Sequence, residues 1–275
     1  MQTLLKLGRG NAKLGKDTLI FNLPAGHTCP GAKDCFTKVV EQADGKRKII
    51  DGPANVFRCY AATAEGIYPK VFDARKFNHD LILPLAQKKD VQGMVELILA
   101  SMAVMPMDKI NRVRVHESGD YFTFSYFAAW MAVATAFPHI KFYSYTKSLP
   151  HVVRGRKEGI IPPNFIFTAS KGGKFDYLIE REGFKSVTVT TTQAETDAAK
   201  ANGGKFDHDD SLALGDSDFF LQVHGVQPKG TAAAKYWDSL MKQGKGGYNK
   251  TKRNGVLKAL PKKESKGQSR LKRAA

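Results

Sequence analysis

RVRVHE (112–117), TFSYFAAWMAVATAF (123–137) and IKFYSY (140–145) follow one another with only short polar breaks between them. The first piece alternates apolar and polar residues at period two, the pattern of a half-buried strand. The second carries Phe124, Phe127 and Met131 at helical spacing and stops before Pro138, a residue that cannot continue a helix. The third is rich in aromatic and apolar residues that suit a pleated surface. A strand, a helix and a strand in this order form a βα unit, and the crossover makes the two strands parallel.

Working outward, the rhythm continues. Downstream, Leu149–Gly159 reads as one or two helical turns, Asn164–Ala169 (NFIFTA) as a strand, and Lys174–Glu182 as a short helix closed by Gly183. Ser186–Thr190 is a strand, Gln193–Asn202 an Ala-rich helix, and Asp218–Val223 a strand. Upstream, Thr18–Leu23 (TLIFNL) is a β-prone run stopped by Pro24. Residues 41–55 read as an exposed insertion, and 57–89 as helix broken near Pro69 and Pro84. Asp90 is placed to cap a helix whose apolar face is Val91, Met94, Val95, Ile98, Leu99 and Met102. The expectation is an α/β fold of about six βα units with a mainly parallel sheet, either a partial barrel or an open doubly wound sheet. Either way, ligands belong at the carboxyl ends of the strands.

The 275 residues, 42% of them apolar, suffice for one large domain. No segment is apolar for the length of a bilayer span. The opening MQTLLKLGRGNAKLGK lacks the apolar region of a secretion signal. The expectation is a cytoplasmic protein with no membrane partner. The net charge of +17 is uneven: residues 229–275 hold 14 Lys/Arg against Asp238 and Glu264. The chain therefore divides into an α/β domain at 1–243, which includes a cysteine-bearing loop and an insertion at 36–56, and a basic, partly disordered tail at 244–275. A cationic tail binds polyanions through counterion release, so nucleic acid is a candidate partner; a purely solubilising tail is the plainer reading.

Three cysteines make no disulfide framework. All of them, Cys29, Cys35 and Cys59, fall within 31 residues and leave the rest of the chain without any. Thiolates take zinc or iron–sulfur clusters, and Pro30-Gly31 suits a tight loop round such a centre. Three ligands on a four-iron cluster leave one iron open to a small molecule. A zinc ion with His27 as fourth ligand, or three separate buried thiols, are the alternatives.

Other residues collect at the same expected sheet end. His116-Glu117-Ser118-Gly119-Asp120 closes a strand, where Glu117 or Asp120 could hold an amine or Asp120 could cap the next helix. Lys147 and Lys171 follow strands and could hold a phosphate or carboxylate. His208-Asp209-Asp210 could take a divalent metal, though a solvated loop is the plainer reading. A hydrolase built from His116, Asp120, His208, Asp209 and His224 is a further reading. Tyr121–Phe127 with Trp130 could stack bases, but its helical spacing points to the core.

Several of these pieces together resemble the bacteriophage gene product 88 family: LPAGHTCPGAKDC (23–35), FRCYAA (57–62), RVHESGDYF (114–122), FYSYTKSLP (142–150), FTASKGG (167–173), DHDDS (207–211) and HGVQP (224–228). That family looks similar to radical SAM proteins. The resemblance implies a partial (β/α)6 barrel, with Cys29, Cys35 and Cys59 as ligands of a 4Fe–4S cluster whose open iron binds S-adenosylmethionine. Cys59-Tyr60-Ala61 is similar to the end of the radical SAM cysteine motif. Ser118, Gly119 and Asp120 take the place of the segment that contacts the methionine amine, and Lys147 joins them as a cofactor-binding residue. It also implies an electron donor as partner; the basic tail, not the resemblance, points to a nucleotide or nucleic acid as substrate. The departure is in the spacing: radical SAM enzymes use CxxxCxxC, whereas this chain has Cys29-x5-Cys35-x23-Cys59. An iron–sulfur or zinc protein that binds nucleic acid without catalysis is the alternative.

Overall fold

A computed structural model describes residues 3–244. Its main sheet has seven strands: β1 (Gly8–Arg9), β2 (Thr18–Phe21), β5 (Arg112–Val115), β6 (Lys141–Thr146), β7 (Phe165–Ser170), β8 (Ser186–Thr190) and β9 (Phe219–Gln222). They lie side by side in that order. The β1–β2 pair is antiparallel and all the others are parallel. The parallel strands follow chain order without reversal, so the sheet has no point at which the winding switches direction. It is open, with β1 and β9 at its two edges.

The helices are α1 (Tyr60–Ile67), α2 (Pro69–Gln87), α3 (Val91–Ala103), α4 (Phe124–Ala136), α5 (Leu149–Lys157), α6 (Tyr177–Arg181), α7 (Gln193–Ala201) and α8 (Ala232–Lys242). Their starts follow local chemistry. The side chains of Asp90, Thr123, Thr192 and Thr231 accept the amides of Gly93, Tyr126, Glu195 and Ala234, which satisfies first-turn donors. Pro69 opens α2, where its missing N–H costs nothing. Pro84 lies inside α2 without ending it. The break expected there does not occur, because the proline is only one turn from the helix end and forfeits a single hydrogen bond.

Besides the two-residue edge strand β1, two features went unread in the sequence. The insertion is a hairpin, β3 (Thr37–Glu41) with β4 (Arg47–Asp51), separate from the main sheet. Asp44-Gly45 between two β-branched runs was the signal for it, and Gly45 adopts φ +74° in the turn. The second element is α8, whose Ala233, Tyr236 and Leu240 are buried with Val223.

The main core packs one face of β2, β5, β6 and β7 (Leu19, Phe21, Val113, Val115, Phe142 and Phe165) against α2 to α6. Tyr126, Phe127 and Trp130 of α4 are fully buried there, as the core reading of this stretch expects, and Tyr121 of the preceding loop is buried with them. The opposite face carries Arg114, Tyr143, Tyr145, Val187 and Phe219. Across it runs the segment 207–215, with Leu212, Ala213 and Leu214 packed on Tyr143, Val187 and Phe219. Among the described residues no helix is long and apolar enough to cross a membrane. The tail expected at 244–275 lies outside the described residues except for Gly244.

Candidate cysteine-lined site

Cys29 lies in the turn after β2. Thr28 donates its hydroxyl to the Pro24 carbonyl at 2.8 Å, and the Cys29 amide reaches the Gly26 carbonyl at 3.3 Å. Gly31 permits a close approach: a Cβ there would stand 2.2 Å from the Lys147 carbonyl oxygen, so no other residue fits without moving the chain. This seats the cysteine loop on the end of β6.

Cys35 and Cys59 are separated by 23 residues, and the hairpin closes that gap. The Asp34 carbonyl accepts the amides of Val56 and Phe57 at 2.7 and 3.1 Å. The Cys59 amide donates to Thr37 Oγ1 at 3.3 Å, and Asp51 holds the Arg58 guanidinium with both carboxylate oxygens. The insertion is thus looped out as a unit, and its two ends are stapled together. Cys59 then begins α1 at its N-cap position.

All three cysteines line one cavity of about 160 Å³. Its other walls come from the carboxyl ends of β5, β6, β7, β8 and β9, where parallel sheets bind ligands. Each thiol is partly open to the cavity and otherwise enclosed by protein. Burial pushes the Cys29 thiol well above its ordinary range, reinforced by Asp120, Cys59 and Cys35. Burial and Cys35 push Cys59 up to about 11, against the pull of the Ala62 and Ala61 amides. These thiols therefore stay protonated at neutral pH and are poor nucleophiles. Their mutual repulsion as thiolates is what a bound cation or cluster would relieve. Among the described residues no three His, Cys, Asp or Glu side chains form a ready single-ion site. The three thiols line one cavity without converging on a single point.

The loop after β5 is held rigidly. The Ser118 amide donates to Asn22 Oδ1 at 2.8 Å, and its hydroxyl donates to Glu65 at 3.2 Å. Gly119 adopts φ +89°, and a Cβ there would stand 2.7 Å from both Leu23 Cβ and Thr28 Oγ1. Asp120 does not cap the next helix; Thr123 does. Instead its carboxylate accepts Thr146 Oγ1 at 2.6 Å and the amides of Lys147 and Tyr121, both at 2.8 Å. Burial raises its pKa, and these three donors oppose the rise. Three donors leave a carboxylate with one unused acceptor site. Lys147 is buried, lines the cavity and donates its ammonium to Ser170 Oγ. It makes no ion pair with a carboxylate among the described residues.

Deeper in the same cavity lies Arg114, paired with Asp210. Asp210 also holds Lys13 at 2.5 Å and accepts the hydroxyls of Tyr143 and Tyr145 at 3.1 and 3.2 Å. Burial works against the Asp210 charge, but Arg114 and Lys13 outweigh it and hold the carboxyl below its usual value. The 207–215 segment is held across the sheet by this carboxylate, by the Lys185 ammonium, which donates to the Ala213 and Gly215 carbonyls, and by the apolar packing of 212–214.

The other candidate residues divide sharply. His116 and His224 reach the cavity, where burial lowers them to about 3 and about 4. Both are neutral at physiological pH. His116 bonds Tyr126 Oη at 2.7 Å, and the His224 ring packs on Tyr60 at a tilt of 31°. His208 and Asp209 are exposed while Asp210 points inward, so the expected metal run is split and the hydrolase constellation does not assemble. Lys171 is exposed and stands apart from Lys147. His27 is exposed, bonds the Val39 carbonyl at 2.8 Å and does not line the cavity, so it is not brought to the cysteines as a fourth ligand. Sequence reading gave no role to the side chains of Arg114 and Tyr145, which both line the cavity, as does Tyr60 next to Cys59. Arg114 occupies a polar position of the alternating RVRV strand, which reads as a solvent face; its burial under the 207–215 segment gave no local signal.

Comparison with known proteins gives two matches of one kind. The family described as Gene product 88 matches residues 4–245. The Gene 88 protein of Mycobacterium phage D29 is 27% identical over 194 residues, which span 68% of this chain and 71% of that protein. No solved structure matches the chain.

Proposed function

The chain belongs to the gene product 88 family, and we propose that its three cysteines hold an iron–sulfur centre in a cavity that also receives S-adenosylmethionine. One observation carries this reading. Two cysteine segments far apart in sequence, one of them looped back by a hairpin, meet at the carboxyl edge of a singly wound parallel sheet. Such a sheet suits a partial (β/α)6 barrel. A multi-iron cluster spreads its thiolates over several metal atoms, so its ligands can line one cavity without converging on a point. When bound, the group would supply the electron for reductive chemistry on S-adenosylmethionine.

The chain's own residues would bind and orient. Ser118 and Gly119 hold the loop against the cysteine turn. The unused acceptor of Asp120 would take the methionine amine, and Lys147 would take the carboxylate. The apolar walls at Val187, Val189 and Leu221 would exclude water beyond it. A nucleotide or nucleic acid is the substrate class we favour, given the net charge of +17.

The test is anaerobic purification and reconstitution. The expected product is a brown protein with about four irons and matching sulfide per chain. It should form 5′-deoxyadenosine from S-adenosylmethionine on reduction with dithionite, and Cys59→Ala should abolish both. A colourless protein holding only zinc would overturn the reading.

A further inference from the structure

The β3–β4 hairpin has two unlike faces. Thr37, Val39, Ile49 and Asp51 turn inward: Val39 is buried with Ala61, Ala62 and Phe72, and Ile49 packs on the same cluster. The alternate residues form the other face. In register, Lys38 stands opposite Ile50 and Val40 opposite Lys48. None of the four is buried, and Lys48 and Ile50 are exposed. The acidic residues of the hairpin are kept off this face. Asp51 is spent on Arg58, Asp44 pairs with Lys46 at the turn, and Glu41 lies opposite Arg47. What remains outward is a two-stranded ribbon carrying lysines and short branched side chains, with no acidic residue among them.

We propose that this ribbon is a docking surface for double-stranded DNA. A two-stranded antiparallel ribbon fits the major groove of B-form DNA, while the deep, narrow major groove of A-form RNA does not admit it. Lys38 and Lys48 supply charge complementary to phosphate, and Val40 and Ile50 supply apolar contact to base edges such as the thymine methyl. The ribbon is stapled at its base to Cys59 through Thr37 and Arg58, so its outward face is held in a fixed place on the domain. The inference rests on the proposed nucleic-acid class of partner, and it is independent of which centre the cysteines hold.

The test uses the full-length protein and a fluorescein-labelled 20-base-pair duplex, with anisotropy titrations across a series of salt concentrations. Each lost phosphate contact lowers the slope of log K against log salt by about 0.9. Lys38→Ala/Lys48→Ala should therefore flatten the slope by about 1.8 and weaken binding roughly tenfold or more at 0.15 M salt. Lys38→Arg/Lys48→Arg should retain the wild-type slope. Duplex RNA of the same sequence should show no difference between wild type and the alanine variant. Wild-type protein that fails to bind the duplex even at low salt overturns the nucleic-acid reading itself. Wild-type binding with an unchanged slope in the alanine variant overturns only the ribbon, because the charge then acts from elsewhere in the chain.

Discussion

Gly119 joins the cysteine turn to the loop after β5. Its φ of +89° is a conformation that residues with a Cβ rarely adopt, and the space a Cβ would need is held by Leu23 and Thr28. Gly119→Ala combines backbone strain with overpacking and should destabilise the protein by roughly 2–4 kcal/mol, read as a lower urea midpoint at unchanged m-value. Asp210 makes a second residue-scale case. Its carboxyl is held below its ordinary 3.8 by Arg114 and Lys13, so it contributes stability that is present above the unfolded value and lost as pH falls through the folded one. Asp210→Asn should cost about 3 kcal/mol at neutral pH, chiefly by leaving buried Arg114 unpaired. The gap between variant and wild type should close as the pH is taken below that range, which urea titrations at stepped pH will show.

At the scale of elements, most of the chain follows local rules. Helix α3 starts where Asp90 can accept the Gly93 amide at 2.8 Å. Asp90→Ala should cost about 1 kcal/mol, measured by chemical denaturation. The strands at 112–115, 141–146 and 186–190 fall where alternation and aromatic content place them, because period-two burial is written into the residues. The hairpin was harder to read. Its outward face is Lys and short branched residues, so it alternates basic with apolar and passes for an exposed loop. Only the Asp-Gly turn betrays it. Helix α8 went unread although its local signals were present: the Thr231 cap and the helical spacing of Ala233, Tyr236, Trp237 and Leu240.

At the scale of the whole molecule, the cavity is a meeting of segments. Cys29 comes from the turn after β2, Cys59 from the start of α1, Asp120 and Lys147 from the loops after β5 and β6. The sheet order alone brings these ends to one side. This is also why the constellation His116, Asp120, His208, Asp209 and His224 comes apart. The 207–215 segment sends Asp210 inward to Arg114 and leaves its two neighbours in solvent.

The sequence by itself determined the α/β class, the parallel rhythm and the strand ends at which the cysteine loop and the 116–120 loop lie. These depend on periodicity, caps and breakers, which act over a few residues. Only the tertiary structure decided that the 23 residues before Cys59 fold into a hairpin that closes on itself, that Asp120 ties two loops together, and that His27 turns away. Those outcomes depend on hydrogen bonds and contacts between positions distant in the chain, such as Gly31 against Lys147 and Asp34 with Val56, which no local pattern encodes.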